Sequence, residues 1–199
     1  MTLEEFESCL SDKNLEEELS HVELELKKKK YIAVGEIGID LYWEKKYLDV
    51  QKKAFAYQIN LAKQYNLPVA IHVRDSFNEA IEIVEELNDD MLKGVFHCFS
   101  GTKNDAKRII NLGNFYLGIG GVVTFKNTKL ENTLNSVKLE NILLETDAPY
   151  LTPEPYRGQR NESKYILDIA KKISNIYGEK LEKIANISTA NAKRLFDIK

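Results

Sequence analysis

The sequence predicts an α/β protein built on a parallel sheet, and three observations predict it. From Tyr31 onward, short apolar runs alternate with longer stretches of helical periodicity. The runs are rich in β-branched and aromatic residues, and the stretches between them are long enough to be crossover helices. Four polar side chains, Glu36, His72, His97 and Asp147, fall at the ends of four different runs, where parallel sheets gather their functional groups.

With 199 residues, 43% hydrophobic and 30% charged, the chain can bury a substantial core, and its length suits one domain better than two. A formal net charge of -3 and a pI near 5.8 give no global attraction to nucleic acid, so a polyanion site has to be a local basic patch. Cys9 and Cys98 are the only cysteines and neither lies in a C-x-x-C pair, which points to a reducing compartment. The first residues, MTLEEFESCL, are acidic, and no run approaches the ~20 apolar residues of a membrane span. A cytoplasmic protein without a membrane partner is expected.

Thr2 with Glu5 fits a capping box, and Leu3, Phe6 and Leu10 follow at helical spacing. A second helix is expected from about Asn14 into the lysines at 27 to 30, acids early and bases late as the helix dipole favours. These two helices make an N-terminal segment over residues 1–30, ahead of a sheet domain over 31–199. The strand runs are YIAVGEIGID, LPVAIHVRD, LKGVFHCFSG, FYLGIGGVV and NILLETDAP. Between them lie the helical stretches YLDVQKKAFAYQINLAKQYN, SFNEAIEIVEEL, NDAKRIINLG and NTKLENTLNSV. A helix from about Glu162 to Tyr177 and two shorter ones through Phe196 close the chain.

Glu36 sits in AVGEIGID among strand formers, with Gly35 and Gly38 opening space beside it. A buried carboxylate requires a cation, a proton or another partner. Two carboxylates and two imidazoles at strand ends match the ligands of zinc, of manganese or, with more oxygen and water, of magnesium. Each residue also has a plainer explanation. His72 or His97 alone could be a hydrogen-bonded core histidine, Asp147 a helix cap before Pro149, and Glu36 the partner of Arg74. The third histidine, His21, belongs to the charged N-terminal helix. GIGG, from Gly118 to Gly121, lacks the third glycine of a dinucleotide fingerprint and reads as close packing. Cys98 beside His97 makes a poor catalytic pair, since adjacent strand residues point to opposite faces.

EIGID, IHVRDS, FHCFSG and LLETDAPYLTPEPYRGQRNES, in this order and separation, resemble the TatD family of metal-dependent deoxyribonucleases over about Tyr31 to Phe196. The resemblance implies a TIM-type (β/α) barrel that hydrolyses DNA phosphodiesters with divalent metal. It implies that Glu36 bridges two metal positions, that His72 and His97 hold one of them, and that Asp147 serves the other while orienting the attacking water. Glu36 and Asp147 are then the catalytic pair.

Family members begin with a strand carrying an H-x-H pair, and these 199 residues contain none. About five strands are legible, where a closed barrel has eight. The expectation is therefore an incomplete barrel, the last two-thirds or so of such an enzyme, holding one metal firmly at most and impaired in activity. Strands around Ile32 and Leu143 would be open edges and invite self-association. Arg74, on the same strand face as His72, could hold a phosphate or orient a ligand acid. In the loop after Asp147, Tyr150, Tyr156, Arg157 and Arg160 suit single-stranded DNA or strand ends by stacking and phosphate contact, Arg157 above all. The alternative there is a loop anchored by Pro149, Pro153 and Pro155. A hydrolase of small esters or amides and a non-catalytic remnant binding metal or nucleic acid are the competing functions.

Overall fold

Hydrophobic alternation in VGEIGID builds the first strand, β1 (Val34–Asp40), which buries Val34, Ile37 and Ile39. It pairs in parallel with β2 (Val69–Arg74), matching Val34 to Val69 and Ile37 to Ile71, with a bulge between Val34 and Ile37 that contains Gly35 and Glu36. The computed structural model describes residues 12–199. The capping box at Thr2 and Glu5, the helix it begins and Cys9 lie outside the described residues.

The chain forms two compact units, Met1–Lys93 and Gly94–Lys199, and the expected boundary near residue 30 falls inside the first. In the first unit, helix α1 (Asp12–Leu26) ends before the lysines that were expected to complete it. Lys29 takes a left-handed φ of 53°, and its N–H closes a tight turn on the carbonyl of Leu26. The lysine run is thus the turn toward β1, with Lys27 paired to Glu23 at 2.9 Å and Lys28 to Glu25. Helix α2 (Leu48–Gln64) buries Phe55, Ile59 and Ala62 at spacings of four and three, one face of a helix. Helix α3 (Phe77–Leu87) buries Ala80, Ile81 and Val84 in the same manner.

Gly38 is the tightest point of this unit. Its φ is +147°, and a Cβ there would stand 1.9 Å from the carbonyl oxygen of His72. No L side chain fits without parting β1 from β2. Gly38→Ala is expected to lower stability by ~3 kcal/mol, read as a shift of the urea midpoint at constant slope.

The second unit pairs β3 (Gly94–Phe96), β4 (Phe115–Ile119) and β5 (Ile142–Leu144) in parallel and in chain order. Helix α4 (Lys103–Asn111) starts from a true capping box, in which Thr102 and Asp105 each accept the other's backbone N–H. Helix α5 covers only Leu130–Leu134, shorter than NTKLENTLNSV suggested. Thr128 Oγ1 accepts the N–H of Leu130, and the Ser136 hydroxyl donates to the carbonyl of Thr133, so side chains replace helical turns at both ends.

Helix α6 (Ile166–Tyr177) ends on Gly178 in the left-handed region. Two short C-terminal helices were expected after it, but α7 (Leu181–Phe196) is continuous. Ile184, Asn191 and Leu195 share a buried face that overrides the weak helix formers Ser188 and Thr189. Asn191 is 2% exposed and donates to the carbonyls of Leu139 and Ile142 at 3.1 and 2.9 Å, tying α7 to the start of β5. Asn191→Ala removes both hydrogen bonds from a buried position and is expected to cost ~2 kcal/mol, measured by chemical denaturation. No helix among the described residues is long and apolar enough to cross a membrane.

Candidate active site

In the first unit the bulge of β1 aims Glu36 toward β2. Glu36 and His72 present a carboxylate oxygen and a ring nitrogen within 4.8 Å of each other, a spacing that suits two ligands of one ion. Glu36 is exposed, which corrects the expectation of a buried carboxylate at a strand end. It occupies the third position of a seven-residue strand, and the bulge opens that position to solvent. Ala70 explains Gly35: a Cβ at Gly35 would stand 2.7 Å from that of Ala70.

The residue at the end of β1 is Asp40, which the sequence reading did not single out. Its Oδ2 lies 3.2 Å from His72 Nε2, and its Oδ1 accepts the N–H of Tyr42 at 2.9 Å. Gln51 on α2 clamps the Asp40 backbone twice, its Oε1 accepting from Asp40 N at 2.8 Å and its Nε2 donating to Asp40 O at 3.0 Å. A carboxylate held this firmly orients the imidazole beside it. In the tautomer that donates Nε2–H to Asp40, the ring lone pair lies on Nδ1, the nitrogen that could hold a metal. Ser76, 1% exposed, donates to the carbonyl of Ile39 at 2.6 Å and locks the end of β1 to the start of α3.

Arg74 lies opposite Asp40 in the ladder, with its guanidinium carbon 3.5 Å from the centroid of the Tyr42 ring. That contact places the cation at the carboxyl end of β1.

In the second unit His97 is the first residue after β3, its side chain 11% exposed. Its Nδ1 stands 3.9 Å from Glu145 Oε1. Glu145, immediately after β5, is another residue missed at first, although it lies inside LLETDAP. It accepts the N–H of Cys98 at 2.6 Å. Its carboxylate rests against β4 where a Cβ on Gly118 would come within 2.9 Å of Oε2, and one on Gly120 within 3.2 Å of Oε1. GIGG is therefore close packing, as read, and what it packs against is an acid. A Cβ on Gly121 would meet the carbonyl of Leu151 at 2.1 Å.

Asp147, half-buried, lies three residues past β5 with φ +51°. Its carbonyl accepts the N–H of Tyr150 at 2.8 Å, and a turn follows it where a cap would be followed by a helix. Asn161, 2% exposed, organises this loop. Its side chain donates to the carbonyls of Thr146 and Tyr150, and its N–H donates to that of Pro149 at 3.0 Å. Asp147 is thus bracketed by residues held at one point. Tyr156 stacks on Tyr165 with centroids 4.3 Å apart, and the Arg157 guanidinium lies 4.0 Å above Phe125 while donating to the carbonyl of Thr152 at 3.0 Å. Both side chains anchor the loop. Arg160 and Tyr150 are exposed.

The sequence model of the family described as TatD related DNase matches residues 7–197. Over 184 residues the chain is 41% identical to a Bacillus subtilis (strain 168) protein named uncharacterized metal-dependent hydrolase YabD, covering 92% of this chain and 72% of that protein. YcfH of Escherichia coli K12, also named an uncharacterized metal-dependent hydrolase, is 34% identical over 168 residues, covering 84% of this chain and 63% of its own. Among solved structures, YjjV, a TatD homolog from Escherichia coli K12, matches with a TM-score of 0.85 at 30% identity, covering 95% of this chain and 72% of the other. A TatD family hydrolase from Entamoeba histolytica matches with a TM-score of 0.74 at 26% identity, covering 88% and 66%.

Proposed function

The chain belongs to the TatD family of metal-dependent hydrolases, with that family's TIM-type (β/α) fold class, and from this premise we propose that it hydrolyses phosphodiester bonds in DNA. The observation that carries the proposal is the Glu36–His72 pair within 4.8 Å, its imidazole aligned by Asp40. In this reading Glu36 and His72 hold one divalent metal, and the family resemblance alone gives His97 to the same ion: zinc or manganese from imidazole, magnesium where water fills more of the shell. Glu36 and Asp147 are the protein ligands of a second position. Two carboxylates alone make a weak transition-metal site, so these 199 residues hold one metal firmly at most.

A divalent metal held there would supply Lewis acidity and lower the pKa of the water that attacks phosphorus, while the P–O bond on the far side breaks and the sugar oxygen leaves as a hydroxyl after taking a proton from solvent. Asp147 orients that water and accepts its proton, while Glu36 keeps its charge beside the reacting oxygen. Arg74 and Arg157 are each offered as a phosphate contact, Arg74 lying over Tyr42 and Arg157 over Phe125, and Tyr156 shapes the loop that carries Arg157. Single-stranded DNA or a strand end is the proposed substrate.

The test is cleavage of a labelled single-stranded oligonucleotide with magnesium, manganese or zinc, against a chelator control and a panel of carboxyl esters and amides. Metal-dependent cutting of the oligonucleotide supports the proposal. Turnover of esters or amides without DNA cleavage replaces it with a small-molecule hydrolase, and DNA binding without cleavage under any metal replaces it with a non-catalytic binder.

Self-association belongs to the same proposal. Among the described residues, β1 pairs with β2 and β5 with β4, and neither has a strand partner on its second edge. Sedimentation should show a mass that rises with concentration, and a monomer throughout would remove this part.

A further inference from the structure

We propose that Tyr42 and Trp43, with Arg74 and the lysines that follow, form a stacking platform for an unpaired base of single-stranded DNA beside His72. The inference deepens the nuclease reading and rests on it for its substrate class.

Leu41 continues the β1–β2 ladder one step past Asp40, its N–H donating to the carbonyl of Arg74 at 2.9 Å, and it is buried at 7% exposure. The next two residues turn outward. Tyr42 is 51% exposed and Trp43 65%. Indole is the largest apolar side chain and is seldom left in water, so a pair this exposed marks a contact surface. The two rings meet edge to face, 4.9 Å between centroids at 89°, an arrangement that props them against each other.

One cation touches the aromatic pair, the guanidinium of Arg74 over Tyr42. Lys45 and Lys46 follow in the sequence YWEKKY, both exposed, Lys46 lying over the ring of Tyr47. Glu44 stands between the rings and these lysines, so it is the exposed rings that carry the proposal, with Arg74 and the lysines as phosphate contacts. Flat rings with nearby cations bind single-stranded nucleic acid, since every base offers a π-face and every nucleotide a phosphate.

The platform is also tied to the proposed metal site. Tyr42 donates its N–H to Oδ1 of Asp40, whose Oδ2 meets His72. A base seated on the rings therefore places its own phosphate near the end of β1. Duplex DNA hides its base faces except at the ends, so the platform selects unpaired or terminal nucleotides.

Trp43 is the chain's single tryptophan, and its emission reports on this surface alone. With chelator present to prevent cleavage, an oligothymidylate of about 12 nucleotides should quench that emission to saturation, and an abasic oligomer of equal length should bind ~10-fold more weakly. Trp43→Ala should weaken oligothymidylate binding by ~10-fold, measured by anisotropy of a labelled strand, and Trp43→Phe should restore most of it. Unchanged emission on DNA binding, or equal affinity for the abasic strand, overturns the platform. Cleavage without quenching removes the platform and keeps the nuclease. Quenching without cleavage under any metal does the reverse.

Discussion

Asparagine in place of Asp147 is expected to lower the proposed DNA hydrolysis by ~100-fold or more at saturating substrate. The amide has the shape of the acid but accepts no proton from water and brings no charge to a metal. The loop around it survives the change, because Asn161 holds Thr146, Pro149 and Tyr150 through backbone groups that the substitution leaves alone. Arg157→Ala should act on binding instead. It removes one phosphate contact and the side chain lying over Phe125, so KM rises and the salt dependence weakens while kcat falls by less than ~10-fold. Steady-state kinetics on a labelled oligonucleotide at several salt concentrations separate the two. Equal loss of kcat in both variants contradicts this division of roles.

Asp40→Asn is expected to weaken metal affinity by ~10- to 100-fold, the usual consequence of altering the carboxylate behind a histidine ligand. Calorimetric titration with zinc or manganese measures it. The native carboxylate is fixed by Gln51 and by the N–H of Tyr42, so its charge faces His72 in one orientation. The amide keeps the volume and loses the charge that faces the ring. An affinity within about twofold of the parent would mean that the imidazole is positioned without Asp40.

The parallel strands, and the places of Glu36, His72, His97 and Asp147 in or just after them, were legible because apolar runs and rare polar residues are properties of the chain itself. Glu145 and Asp40 were in plain view inside quoted motifs. What sets them apart is three-dimensional: Glu145 matters through the glycines of β4 that it lies against, and Asp40 through an imidazole 32 positions later in the chain. Asn161 is of the same kind, since a buried amide that gathers carbonyls leaves no periodic trace. The exposure of Glu36 follows from a bulge, and a bulge is a fact about pairing register. Asn191 is by type a weak helix former, and its two carbonyl partners make the continuous α7 intelligible.

Gly118 and Glu145 share one volume, so a change at either is felt at the other. A methyl group at 118 would crowd Glu145 Oε2 at 2.9 Å and the His97 backbone at 3.0 Å together. A shorter acid at 145 would relieve only the first of these contacts, so enlarging residue 118 also asks the chain at His97 to give. The rim beside His97 is therefore confined to glycine-sized residues at 118, whatever stands at 145.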